Sequence, residues 1–259
     1  MSDVYEQRLE ARIARVGSHL CVGLDPRPER HPDGRVEAFL HEVVEQVAEH
    51  AAALKPNIAY FEAMGVEGYA MLDRLLSGLP SDLPVILDAK RSDIGETQRY
   101  YARAYFERWS VDAVTLNPFL GFDSLEPYLD YPGKGVYLLA LTSNPGALEL
   151  HLLESEGRRL YDRIFEFRER ARGRATSVGF VVGLTQLDAE VLARLPDAPL
   201  LLPGLGAQGG RLEGLGSRRS GAPLLINASR SVLYPSDNNE SYGARARRIK
   251  ETINHALHP

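Results

Sequence analysis

Three observations predict an α/β fold, a single (β/α)8 TIM barrel. Eight short apolar runs alternate with amphipathic ones, polar residues gather where those runs end, and nothing divides the 259-residue chain. The strand candidates are His19–Leu24, Ala53–Ile58, Val85–Ala89, Ala113–Leu116, Val136–Leu141, Ser177–Gly183, Leu200–Leu202 and Pro223–Ile226. Helical periodicity falls between most of them, over Val36–Ala51, Val66–Leu76, Gln98–Trp109, Arg158–Ala171, Ala189–Leu195 and Ala244–Leu257. The stretch from Gly209 to Gly221 is glycine-rich and a poor helix former. With no linker or low-complexity tract, residues 1–259 read as one barrel domain with a short N-terminal helical extension over about residues 1–17.

Seven of the eight predicted strands end in residues that carry chemistry or shape a loop. They are Asp25-Pro26, Lys55-Pro56-Asn57, Asp88-Ala89-Lys90, Asn117-Pro118, Thr142-Ser143-Asn144-Pro145, Pro203-Gly204 and Asn227-Ala228-Ser229-Arg230. Barrel enzymes place their reacting groups at the C-terminal ends of the strands, so this pattern points to an enzyme.

Composition narrows the classes of partner. A formal charge of −5 argues against a nucleic acid or an anionic membrane as partner. The single cysteine, Cys21, lies between Leu20 and Val22 and reads as a core thiol; one cysteine cannot build a disulfide framework or a thiolate cluster. The segment Val4–Val16 is charged and helical in pattern rather than a signal sequence, and no run of 18 apolar residues occurs. The expected location is the cytoplasm.

The stretch Val85-Ile86-Leu87-Asp88-Ala89-Lys90-Arg91-Ser92-Asp93 passes from buried strand to acid, amine and acid within six positions. Side chains two apart on a strand share a face, so Asp88 and Lys90 should point the same way. A lysine between carboxylates keeps its charge and has a proton to give, which an arginine effectively does not. An isolated D-x-K-x-x-D would read as a solvated strand end with weak surface ion pairs. Here only Lys55, Lys90, Lys134 and Lys250 among 30 basic residues are lysine, and two of them close consecutive apolar runs. That choice points to amine chemistry.

Gly204-Leu-Gly206-Ala-Gln208-Gly209 matches G-x-G-x-x-G, but no good helix follows and position 229, where a dinucleotide site needs an acid, is serine. In a barrel, loops after the seventh and eighth strands commonly bind phosphate, with backbone amides as donors and Arg230 placed to grip it. The seven histidines form no H-x-x-x-H pair, and two lysines beside Asp88 would repel a divalent ion, so no metal is expected. Ser143 has no nucleophile-elbow motif and no neighbouring histidine base.

The run Leu87-Asp-Ala-Lys-Arg-Ser-Asp-Ile-Gly-Glu-Thr97 resembles the D-x-K-x-x-D-I signature of the orotidine 5′-phosphate decarboxylase family, and more specifically its longer, type 2 subfamily. Asp25, Lys55-Pro-Asn57, Thr142-Ser-Asn-Pro-Gly146, Pro203 through Gly210 and Ser229-Arg-Ser231 follow in the family's order, so the resemblance spans about residues 18 to 234. It implies cofactor-free, metal-free decarboxylation of orotidine 5′-monophosphate to UMP and CO2, in pyrimidine biosynthesis. By the same resemblance Lys90 stabilises and protonates the C6 carbanion, Asp88 lies beside the substrate carboxylate, and Lys55 holds the charged chain in register. Asp93, Ile94 and Thr97 would enter the partner's site in a homodimer. Asp25 and Thr97 would bind the ribose, and Ser143 and Gln208 the base, with Gln208 also reaching the phosphate. Pro203 would line the site, while Gly206, Ser229 and Arg230 would hold the phosphate. Asn144 stands where many relatives carry histidine, which alters local contacts.

Two other readings compete. A magnesium-dependent sugar-phosphate decarboxylase or aldolase-type sister enzyme on the same barrel would need a further acidic ligand, and Lys55 with the Ser143/Gln208 pair argues against it. A non-catalytic nucleotide-binding barrel would be expected to lose Lys90 or Asp93, and both are present.

Overall fold

The computed structural model describes residues 4–205, 212, 214–217, 220–235 and 240–258. Eight parallel strands form its sheet: β1 (Leu20–Leu24), β2 (Ala53–Pro56), β3 (Ile86–Arg91), β4 (Ala113–Leu116), β5 (Gly135–Leu141), β6 (Ser177–Val182), β7 (Leu200–Pro203) and β8 (Leu224–Ala228). The hydrogen-bonded order runs β2-β1-β8-β7-β6-β5-β4-β3. Isolated parallel bridges Leu54–Val85 and Asn57–Asp88 bring β2 against β3, so the sheet curls almost into a closed barrel. All eight predicted strands are present. Each parallel crossover carries helical structure or a long loop outside the sheet, as a right-twisted barrel requires.

The α-helices are α1 (Val4–Val16), α2 (Val36–Val47), α3 (Ile58–Glu62), α4 (Gly65–Ser77), α5 (Gly95–Arg103), α6 (Ala147–His151), α7 (Leu160–Phe165), α8 (Phe167–Arg170), α9 (Ala189–Arg194), α10 (Arg230–Leu233) and α11 (Tyr242–Leu257). Two predicted helices differ. The run Gln98–Trp109 begins three residues earlier, and its second half widens into a π-helix over Ala104–Arg108. The run Arg158–Ala171 is broken: Arg158–Arg159 pairs with Glu154–Ser155 as a small hairpin, and α7 starts only at Leu160. Positive φ at Glu156 and Gly157 turns that hairpin, which helical periodicity does not register.

Strand alternation divides the core in two. Leu20, Val22 and Leu24 on β1, and Leu224, Ile226 and Ala228 on β8, face outward into one large layer against the helices. Cys21, Ala53, Ile86, Ala113, Tyr137, Val181, Leu201 and Leu225 face inward and fill the lower barrel. Above them on the inward positions stand Lys55, Asp88, Thr115 and Asn227, all buried. Apolar side chains thus fill the interior up to a polar top layer.

Helix α1 closes the floor. Tyr5 and Leu9 are fully buried and join the interior cluster, with Ile13 one turn further on the same face. The Tyr5 hydroxyl meets that of Tyr137 on β5 at 3.1 Å, which satisfies two phenols deep in an apolar interior. Arg12, also buried, donates to the carbonyls of Ala48 and Ala51 just past the end of α2, and pairs with Asp82 at 2.9 Å. The N-terminal extension is therefore part of the core. Tyr5→Ala should empty the barrel floor and lower unfolding stability by about 3–5 kcal/mol, as truncating a buried aromatic does, read as the urea midpoint shift at constant slope.

Candidate active site

Because every barrel strand is parallel, their C-terminal ends share one rim, and the predicted chemical residues collect there. Lys55, on β2, sends Nζ to Asp88 Oδ2 at 2.7 Å; both side chains are almost wholly buried. Lys90 sends Nζ to Asp88 Oδ1 at 2.6 Å, and its own side chain is half exposed at the mouth. One carboxylate thus stands between a buried ammonium and one open to a ligand.

Burial alone would raise the Asp88 pKa, but the two ammonium groups outweigh it and hold the carboxyl well below its ordinary range. For Lys55, burial acts to lower the pKa, and Asp88 with Asp25 overcomes it, holding the amine above its ordinary value. The ion-paired charges therefore form a chain from Lys55 through Asp88 to Lys90, with Asp25 acting on Lys55 electrostatically. Cys21, beneath them, has its thiol pushed up to about 12, chiefly by burial, and behaves as the inert core residue predicted.

Asp88 and Lys90 do point the same way, although the strand carrying them is irregular. Leu87 pairs with Val114 and Arg91 with Leu116, so Asp88, Ala89 and Lys90 stand opposite Thr115 alone. Lys90 takes a left-handed backbone, φ +45°, which costs a residue with a Cβ roughly 1–2 kcal/mol. The Lys90 N–H donates to Thr115 Oγ1 at 2.9 Å, and the same hydroxyl donates to Asp88 Oδ1 at 3.0 Å. Thr115 is a site residue that sequence reasoning passes over, since a threonine inside Ala113-Val-Thr-Leu116 reads as an ordinary strand residue.

Across the mouth, Ser229 at the end of β8 donates its hydroxyl to Asp25 Oδ2 at the end of β1. Asp25 Oδ1 and Asn227 Oδ1 are both buried without a hydrogen-bond partner, leaving two acceptors in the upper barrel. Gly23 makes this approach possible: a Cβ there would stand 2.7 Å from Ser229 Cβ. The sequence places Asn227 at the polar end of the eighth predicted strand without assigning it a role.

Ser143 sits in the loop after β5, where Gly183 lets the β6 end come close; a Cβ on Gly183 would lie 2.7 Å from the Ser143 nitrogen. A histidine does return to this loop. His151 Nδ1 accepts the Thr142 N–H at 3.3 Å, which assigns that nitrogen as acceptor rather than as a base toward Ser143. Asn144 accepts the Thr142 hydroxyl at 2.7 Å. Pro203 ends β7 opposite Asn227, and Arg230 opens α10 at the exposed rim. Gly206 and Gln208 lie outside the described residues.

Asp93, Ile94 and Thr97 are not brought to Lys90 within the chain. Asp93 Oδ1 accepts the Ile94 N–H at 2.8 Å at the start of α5, Thr97 is exposed, and Ile94 is 62% exposed. Ile94 and Thr97 thus lie on the surface, and Asp93 is partly buried at the turn before them.

The model of the orotidine 5′-phosphate decarboxylase / HUMPS family matches residues 18–244. The chain belongs to that family. Among curated family proteins, orotidine 5′-phosphate decarboxylase of Cupriavidus necator is 40% identical over 98% of this chain and 99% of its own. The solved OMP decarboxylase of Leishmania donovani is 36% identical, with a TM-score of 0.83, over 98% of this chain and 99% of that one. The UMP synthase of the same organism is 37% identical with a TM-score of 0.85; this chain covers 57% of its length. The family's D-x-K-x-x-D run is here the segment that carries Asp88, the left-handed Lys90 and Asp93.

The charge chain also fixes a pH dependence. The depressed Asp88 stabilises the fold above about pH 4, its ordinary value, and that contribution is lost as pH falls into the acid range. The raised Lys55 contributes below about pH 10 and loses its contribution above it. Asp88→Asn should cost about 3–5 kcal/mol at pH 7, since a buried ammonium is left without its counter-charge. The gap to wild type in urea midpoint should narrow between pH 5 and pH 2; a gap constant over that interval would contradict this electrostatic account.

Proposed function

We propose that this chain converts orotidine 5′-monophosphate to UMP and CO2, and that Lys90 carries the chemistry. The observation behind this reading is the half-exposed Lys90 ammonium held on a buried carboxylate at the barrel mouth. Breaking the bond between C6 and the carboxyl group leaves the electron pair on C6 in the ring plane, where no π system accepts it. A fixed positive charge beside C6 stabilises that pair in a site shielded from water, and the same ammonium then delivers a proton to C6. Asp88, already ionised, lies beside the departing carboxylate, while Lys55 keeps Asp88 fixed from below. Both Asp88 oxygens are engaged by ammonium groups, which favours this reading over a magnesium-dependent sister reaction.

The remaining roles follow the resemblance. Asp25 binds ribose hydroxyls with its unpartnered Oδ1, Ser143 and Gln208 read the base, and Gly206, Ser229 and Arg230 hold the phosphate beside Pro203 and Gln208. Phosphate binding, remote from C6, supplies energy that is realised at the reacting centre. The run Leu87–Thr97 supports placement in the longer, type 2 subfamily. Residues 1–259 act as one domain, since α1 shares the barrel's core. Among the described residues no helix is long and apolar enough to cross a membrane, which agrees with a cytoplasmic enzyme.

Asp93, Ile94 and Thr97 serve the site of a second copy. The exposed apolar side chains Ile94, Tyr100, Phe119 and Leu120, on the loops and helix after the neighbouring strands β3 and β4, supply a surface for that partner.

Purified protein should deplete orotidine 5′-monophosphate absorbance equally with and without EDTA; an EDTA-sensitive rate would overturn the metal-free site. Lys90→Ala should lower turnover at least ~10²-fold while UMP binding persists. Mixing Lys90→Ala with Asp93→Ala protein should restore roughly a quarter of wild-type turnover, because random pairing leaves one intact site in half of the dimers. No recovery on mixing would rule out the shared site.

A further inference from the structure

We infer that Thr115 is a positioning residue for the reaction: its hydroxyl holds the backbone of Lys90 and the carboxylate of Asp88 in one closed hydrogen-bonded ring. This rests on the decarboxylase reading given above. The ring runs from Lys90 Nζ to Asp88 Oδ1 at 2.6 Å, from Asp88 Oδ1 to Thr115 Oγ1 at 3.0 Å, and from Thr115 Oγ1 to the Lys90 N–H at 2.9 Å. Its directions are forced. An amide N–H only donates and an ionised carboxylate only accepts, so the single hydroxyl proton goes to Asp88 and a lone pair receives Lys90.

Thr115 is buried, 1% exposed, and sits where the β3–β4 ladder fails. Three residues of β3 pass over it, and its side chain replaces the main-chain acceptor that a regular strand would offer to Lys90. Two features of the site therefore share one atom. The left-handed turn at Lys90 has its N–H satisfied, and Asp88 Oδ1, which also takes the Lys90 ammonium, is held from a second direction. Below, the main-chain pairing of Leu87 with Val114 is regular, and above, the Asn117 N–H reaches the Arg91 carbonyl at 2.9 Å, so the irregularity is confined to the three residues facing Thr115. A valine of nearly the same shape would keep the packing but supply neither the acceptor nor the proton.

The test compares Thr115→Val with Thr115→Ser, both confirmed folded by circular dichroism. Removing the hydroxyl should lower kcat roughly 10-fold or more, because small displacements of a reacting group are costly, with KM for orotidine 5′-monophosphate changed less than ~3-fold. Thr115→Ser, which restores the hydroxyl, should recover kcat to within ~3-fold of wild type. A Thr115→Val enzyme with wild-type kcat overturns the inference, as does a serine variant as impaired as the valine one. A crystal structure of Thr115→Val should show Lys90 leaving φ near +45°; unchanged Lys90 and Asp88 positions overturn the inference whether or not the wild type turns over. A wild-type protein without turnover overturns the decarboxylase reading instead, and the crystal structure then decides the geometric claim alone.

Discussion

The site depends on keeping one carboxylate ionised inside a barrel. Taking Asp88 out of water costs several kcal/mol, and that cost is met only because Lys55 and Lys90 occupy its two oxygens. Lys55 has the same problem in reverse and needs Asp88 and Asp25 to remain charged. Removing Asp88 would strand the buried Lys55, and removing Lys55 would leave Asp88 only the half-exposed Lys90. The arrangement gains little stability over an apolar core of equal volume. What it secures is an ammonium whose position is set before any ligand arrives.

That constraint explains how the interior is layered. The lower inward positions hold Cys21, Ala53, Ile86, Ala113 and Leu225, which pack without polar demands. Only the upper positions carry Lys55, Asp88, Thr115 and Asn227. The left-handed Lys90 is local strain at the rim, and the regular pairing of Leu87 with Val114 beneath it supports it. Stability resides in the lower barrel and the outer helical layer, and reactivity at the rim.

Much of this was legible in the sequence, because it rests on periodicity and on residue choice. All eight strands followed from apolar runs, and the scarcity of lysine singled out Lys55 and Lys90. The other two lysines show the limit of that argument. Lys134 donates to the carbonyls of Ser110 and Val111, and Lys250 to that of Val16, as structural caps. Thr115 escaped notice because its role depends on a ladder irregularity, a property of two strands together. The hairpin at 154–159 interrupted a run whose composition is helical, since positive φ at Glu156 is decided locally. The turn at Asp93, partly buried, carries no contact to Lys90 in a single chain, and its family role could come only through the resemblance.

The floor of the barrel has a bearing on how the chain folds. Tyr5 lies in α1, yet its hydroxyl partner, Tyr137, lies 132 residues further along, and Leu201 and Leu225 of the same cluster come later still. Helix α1 can form early, but its apolar face has no lasting burial until strands from both halves of the chain have been synthesised. Folding is thus governed by contacts of large sequence separation, which slows it and lengthens the exposure of Tyr5 and Leu9. Helix α1 is thus sealed into place only after elements synthesised well after it.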